Sequence, residues 1–339
     1  MRPSCLLFFV TVLLLSCSKT ADNTRPIPAA PDVYVAGFEN LGSKNVARVW
    51  KNRIPTNLTS GNFNAVGYSI FLSGSDAYVA GSEFNASGSI AKVWKNGNPT
   101  TLSNVVGSNA YSVFVSGSDV YVAGEEDLSS GLVARLWKNG TIVPLATGTL
   151  PSYATSVYVS GVDIFVGGTD NTPSNLNYGA IWKNGTQTSL TPHGGAIKSV
   201  FASGNDLYAA GWERNPASSL ANTVAKVWKN GTPTALTDGS NVAVAHSVFV
   251  SGTDVYVAGY EKFAGKNIAK IWKNGVITTL TNGANNAEAF SVYVFGADVY
   301  VAGYEGNGAI KVAKVWKNGV ATPLTDSTKQ SNAHSIFVQ

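Results

Sequence analysis

The chain has 339 residues, of which 44% are hydrophobic and 13% charged, enough apolar content for a buried core and too much for a disordered chain. Its formal net charge of +4 comes without a basic stripe or an RNA-binding motif, which argues against nucleic acid as a partner. The length would admit two domains, but a repeat that runs from about Asp32 to Gln339 favours one. First in chain order stands a targeting segment. Arg2 supplies a positive start, and Leu6 to Leu15 form an apolar stretch too short to span a bilayer. Residues 1–16 are therefore expected to be a signal peptide. Cys5 and Cys17 are the only cysteines, so removal of the leader leaves one, and no disulfide can form within the mature chain.

The closing Leu14-Leu15-Ser16-Cys17 resembles the lipobox of bacterial lipoproteins. That resemblance implies cleavage before Cys17, lipidation of its thiol and anchorage in the cell envelope, with the outer membrane as the expected site. An ordinary secretory leader is the alternative. Residues 17–31, with Pro26, Pro28 and Pro31, read as a lipidated tether without a strand pattern.

From Asp32 onwards three short motifs recur seven times each. An aspartate followed by a VYVAG-like run stands at Asp32, Asp76, Asp119, Asp163, Asp206, Asp254 and Asp298. A Trp-Lys-Asn trio follows at Trp50, Trp94, Trp137, Trp182, Trp228, Trp272 and Trp316. A run typified by Ser-Val-Phe-Val-Ser-Gly starts at Ser69, Ser112, Ser156, Ser199, Ser247, Ser291 and Ser335. The aspartates lie 43 or 44 residues apart, with one gap of 48 between Asp206 and Asp254. Alternation within a repeat has period two, which predicts strands. In one repeat, Ser247 to Val250 predicts strand A, Asp254 to Gly259 strand B, Ala269 to Trp272 strand C and about Ile277 to Leu280 strand D. Asn274-Gly275 reverses the chain between C and D, because both central residues of a type I′ turn need positive φ. Six repeats carry Asn-Gly there, whereas Asn52-Arg53 in the first predicts a different turn.

The order opens on a strand B and ends on a lone strand A at Ser335, which predicts that the last strand completes the first blade. These motifs resemble those of a seven-bladed β-propeller with four antiparallel strands per blade, and their order is similar to the NHL type. Marks of WD40, kelch, integrin-like and sialidase blades are missing. The resemblance implies an all-β propeller over residues 32–339 and no specific function.

The A–B and C–D turns are nearly constant, while the B–C and D–A connections vary, so one face of the disc is uniform and the other diversified. Two residues after each strand-B glycine stands an acid: Glu39, Glu83, Glu126, Asp170, Glu213, Glu261 and Glu305. Six repeats answer with a base at Arg48, Lys92, Arg135, Lys226, Lys270 and Lys314, which predicts cross-strand ion pairs; a cation-binding ring of carboxylates is the alternative. Directly after the glycine, Trp212, Tyr260, Tyr304 and Phe38 make an aromatic arc over neighbouring blades. The residue leading into strand A varies too: Tyr68, Tyr111, Thr155, Lys198, His246, Phe290 and His334. Aromatic faces beside carboxylates and amides suit a sugar, and loop packing is the alternative. The seven mid-blade tryptophans predict core packing, and the strand-B aspartates predict turn residues that accept backbone hydrogen bonds.

Three histidines, His193, His246 and His334, lack ligand-like spacing, so no metal site and no cofactor are expected. The sequence has no G-x-S-x-G, P-loop or nucleotide fingerprint. A glycosidase or lyase would need an asymmetric set such as Glu213, Glu261, His246 and Lys198, yet those acids are the ones every repeat supplies. The expected function is non-catalytic binding of an extracellular glycan by a monomer. Its candidate residues are Phe38, Trp212, Tyr260, Tyr304, Glu213, Glu261 and His246, with Cys17 as the membrane anchor. A protein-interaction scaffold is the alternative, and a polysaccharide hydrolase or lyase a third possibility.

Overall fold

The computed structural model describes residues 30–145, 149–171, 177–218 and 222–339. The expected leader, Cys17 and most of the tether lie outside the described residues. Among those described, 28 strands form seven four-stranded antiparallel sheets, the blades of a propeller. In the first blade, β1 (Val33–Asn40), β2 (Asn45–Lys51) and β3 (Ile54–Asn57) follow outward from β28 (Ser331–Val338), the last strand of the chain. Val33 pairs with Val338, and Asp32 and Gln339 exchange backbone hydrogen bonds of 2.8 and 3.1 Å. The ring is closed as expected. Every other blade is a consecutive meander, as in β4 (Ala65–Ser73), β5 (Asp76–Phe84), β6 (Ser89–Lys95) and β7 (Asn98–Thr101).

The core lies between blades rather than inside one sheet. Val35 and Trp50 of the first blade, with Ile336 of the closing strand, pack against Tyr300, Val315 and Leu324 of the seventh. All seven trio tryptophans are at most 1% exposed, which fits their expected role. The lysine and asparagine of each trio have their own task. Each lysine pairs with the strand-B aspartate at 2.7–2.8 Å, as Lys51 does with Asp32, and lies over the neighbouring Tyr or Phe ring. Each asparagine Nδ2 donates to the same aspartate at 2.6–2.8 Å, and its Oδ1 accepts the next backbone N–H at 2.8–2.9 Å. The aspartates therefore accept side-chain donors, which corrects the expected backbone role.

That clamp also explains a second correction. Asn52 and Arg53 have φ of 50° and 72°, beside 51° and 84° for Asn96 and Gly97, so the first turn has the same hand as the others. Asn52 bonds to Asp32 and to the Val33 N–H, and the arginine is carried into the left-handed region with it. The outermost strands are short and exposed. Pro55, Pro99, Pro233 and Pro323 on four of them blunt an edge that would otherwise invite another strand.

Candidate functional site

Strands A and B run further than their alternation suggests. In the sixth blade β20 spans Ala243–Ser251 and β21 Asp254–Phe263. A β-bulge hides the continuation. In every blade the pairing of strand A skips one residue, and the skipped residues are Tyr68, Tyr111, Thr155, Lys198, His246, Phe290 and His334. An extra residue in one strand loses its partner and has its side chain re-aimed. The variable column is thus the bulge column, and all seven of its side chains line one cavity on the axis of the ring.

The VYVAG glycine makes the bulge possible. A Cβ at Gly81 would lie 2.0 Å from the Val66 carbonyl oxygen, two residues before the bulge, and the same contact measures 1.9–2.1 Å in all seven blades. No side chain fits there. The serine after each bulge then joins the blades. Its Oγ accepts a backbone N–H from the inner strand of the next blade at 3.0–3.2 Å, seven times around the ring. Two residues further on, Phe71, Phe114, Tyr158, Phe201, Phe249, Tyr293 and Phe337 form a closed collar with neighbouring centroids 4.6–5.3 Å apart. Constant residues build the ring, and the varied residue faces the cavity.

The cavity has a volume of about 490 Å³, in the range of small-molecule sites. Five bulge rings form a continuous wall over five blades: His246 to Phe290 at 5.1 Å, Phe290 to His334 at 5.2 Å, His334 to Tyr68 at 5.4 Å and Tyr68 to Tyr111 at 5.3 Å. Thr155 and Lys198 fill the gap, where Tyr153, Asn177 and Trp212 also line the cavity. Burial holds the Lys198 ammonium below the usual lysine range and His246 below the usual imidazole range. Burial, helped by the Lys311 charge, brings His334 down to about 4. Both imidazoles are neutral at pH 7.

Two carboxylates stand behind this wall. Glu125 accepts from the Tyr111 hydroxyl at 2.6 Å and from Asn109 at 3.1 Å, while its other oxygen is buried without a hydrogen-bond partner. Burial pushes its carboxyl up, against the pull of those two donors. Glu288 accepts from Tyr304 and Asn267, each at 2.9 Å, and lies 3.4 Å from His246 Nε2, which is a neighbour rather than a bonded partner. Burial opposes its ionisation, yet its carboxyl is held below its ordinary value, with Asn267 and Tyr304 donating to it.

The expected ligand residues divide around this cavity. Trp212 and His246 line it. Tyr260 stands behind His246 with centroids 5.7 Å apart, and Phe38 behind His334 at 6.0 Å. Phe38 and Tyr304 are buried at 8% and 2% exposure, so Phe38, Tyr260 and Tyr304 of the post-glycine arc back the bulge column while Trp212 reaches the cavity. Glu213 and Glu261 are paired with Lys226 and Lys270. The whole acid column behaves in this way: Glu39, Glu83, Glu126 and Glu305 pair with Arg48, Lys92, Arg135 and Lys314. In the repeat without a base, Asp170 accepts from Gln187 at 2.7 Å. Sequence reading does not single out Glu125, Glu288, Tyr153 or Asn177. Glu125 carries a signal, an extra acid in the post-glycine column, whereas Glu288 lies two residues before its bulge, where the repeats share no motif.

No protein-family model and no curated protein matches the chain. Solved structures do. A puromycin-hydrolyzing peptidase of Mycobacterium tuberculosis aligns with a TM-score of 0.57 and 11% identity, over 85% of this chain and 53% of the peptidase. The chain thus spans about half the length of that protein. The β-propeller domain of the Trilobed protease from Pyrococcus furiosus aligns with a TM-score of 0.55 and 13% identity, over 87% of this chain and 92% of that one. That domain has an open velcro topology, whereas here the last strand closes the first blade. Likeness at this level of identity concerns the fold alone, and the NHL similarity rests on strand order.

Proposed function

We propose that this propeller is a non-catalytic binding protein of the bacterial cell envelope, which takes one unit of an extracellular glycan into its central cavity. The observation that carries this reading is the arc of five rings from His246 to Tyr111 around a cavity of about 490 Å³. Rings offer apolar faces to a pyranose, and the Tyr68 and Tyr153 hydroxyls with the Asn177 amide offer polar partners. A glycan array probed with the purified protein tests it. Binding should weaken at least ten-fold on Trp212→Ala without loss of melting temperature. A silent array with a co-purifying protein would move the function to the scaffold class, and release of new sugar ends to the hydrolase or lyase class. Peptide hydrolysis is not proposed, since the two neighbours share only a fold and the sequence has no G-x-S-x-G turn.

The envelope address rests on Leu14 to Cys17. Several acyl chains on one terminus would exceed the two signals that stable anchoring needs. Cys17→Ala should abolish fatty-acid labelling and release the protein from the membrane fraction. Labelling that persists in this variant would overturn the anchor.

A further inference from the structure

Six of the seven bulge positions carry a neutral group, and the seventh carries Lys198. Among the described residues no carboxylate lies within ion-pair distance of its ammonium. The nearby acids are engaged elsewhere: Glu213 with Lys226, Glu125 with Tyr111 and Asn109, and Glu288 with Tyr304 and Asn267. A cation drawn out of bulk water and left without a counter-charge loses solvation that nothing in the protein returns. Folded proteins pair such groups, so a lone one facing a cavity suits an anionic ligand.

Its position says what kind of anion. Lys198 stands in the gap of the aromatic wall, so a ligand in the cavity meets the ammonium on one side and the rings of Phe290, His334 and Tyr68 on the other. One positive charge, with Thr155 on the blade before it and the neutral His246 on the blade after it, balances one negative charge. A phosphate monoester would bring nearly two negative charges, whereas among the described residues Lys198 is the one lysine that lines the cavity. A carboxylate fits, and the aromatic lining suits a ring with an apolar face to carry it.

We propose that the central cavity recognises a carboxylate-bearing sugar, of the uronic-acid class, with its carboxylate on Lys198 and its ring face toward Phe290, His334 and Tyr68. The inference rests on the glycan reading of the cavity and narrows it to acidic glycans. Burial of the ammonium supports it, because a buried charge-assisted hydrogen bond discriminates more strongly than an exposed one.

The test is a titration of the full protein, followed by Trp fluorescence and calorimetry, with a uronic-acid trisaccharide, its methyl ester and its carboxyl-reduced neutral counterpart. The acid should bind at least about ten-fold tighter than either neutral form, as expected for one hydrogen bond to a charged group. Lys198→Met, which keeps the stem and removes the charge, should bring all three to the same affinity. Equal binding of acid and neutral forms to the unaltered protein overturns the carboxylate assignment and leaves the glycan reading standing. The same conclusion follows if Lys198→Met keeps the preference. If none of the three binds, both ideas fall. Tight binding of a short peptide through its free terminal carboxylate, with no binding of the sugars, would place the ligand in the protein class. Should Lys198→Met not fold, the comparison of acid with methyl ester on the unaltered protein decides alone.

Discussion

The Ser335 hydroxyl, four residues from the end of the chain, accepts the backbone N–H of Ile70 at 3.1 Å across 265 residues of sequence. The closing strand thus sits in two interfaces at once. Its backbone pairs with β1, and its serine and Phe337 join the second blade, with Phe71 and Phe337 centroids 5.3 Å apart. Deleting residues 333–339 removes both and exposes the edge of β1. We expect a lower melting temperature and a broadened, less cooperative transition in calorimetry. Ser335→Ala alone should cost about 1–3 kcal/mol, because it leaves the Ile70 N–H without its partner. A truncated chain that melts unchanged would contradict the closure.

Two glycines separate the demands of packing from those of the backbone. At Gly81 a methyl group would overlap the Val66 carbonyl at 2.0 Å, whereas at Gly97 it would meet nothing within 4 Å, at a φ of +84°. Gly81→Ala should therefore cost several kcal/mol, at the level of a clashing core substitution, and disturb the bulge that presents Tyr68. Gly97→Ala should cost about 1 kcal/mol, from left-handed strain alone. Urea unfolding of both variants checks the ratio.

Arg53 offers a gain. Its φ of 72° places a bulky residue where the other six repeats have glycine. Arg53→Gly should raise the urea midpoint without changing the slope, by about 0.5–1 kcal/mol after the greater freedom of glycine in the unfolded chain is counted. A fall in midpoint would show that the arginine makes a contact worth more than the strain.

Stability should decline on mild acidification. His334 is buried in its neutral form, with its pKa held down to about 4. Above the unfolded value near 6.5 neither state takes a proton, and the folded protein bears no penalty. Between about 6.5 and 4 the unfolded chain binds a proton that the folded chain refuses, so stability falls as pH falls. Burial acts on His246 in the same direction. His334→Phe should flatten this part of the profile by about 1–3 kcal/mol between pH 7 and pH 4. The strand-B aspartates are held below their ordinary range by Lys and Asn, and weaken the fold only at lower pH still, as they protonate.

The blade count and the closure are legible in the sequence because they are written by repetition. Asp, Trp-Lys-Asn and Asn-Gly each serve one local task seven times or nearly so, and a period of two turns them into strands. The first turn is misjudged because a single-residue rule ignores the clamp from Asn52 to Asp32. The site is harder to read. A bulge breaks the alternation that locates strand A, so Tyr68 and its counterparts look like loop residues although they are strand residues turned toward the axis. The serine that joins the blades is equally hidden: Ser69 accepts from Val113, a partner 44 residues away that no local pattern announces. The post-glycine arc is visible as a column, but only three-dimensional packing reveals that Phe38 and Tyr304 lie behind the cavity wall.

The ligand site proposed above is built from the varied bulge residues. A crystal structure of the protein with a bound uronic-acid oligosaccharide tests it most directly. One sugar should occupy the central cavity, its carboxylate oxygen ~3 Å from Lys198 Nζ and its ring against Phe290, His334 and Tyr68. A sugar bound on the outer surface, for instance in the groove between Phe63 and Phe84, with none in the central cavity, would contradict it.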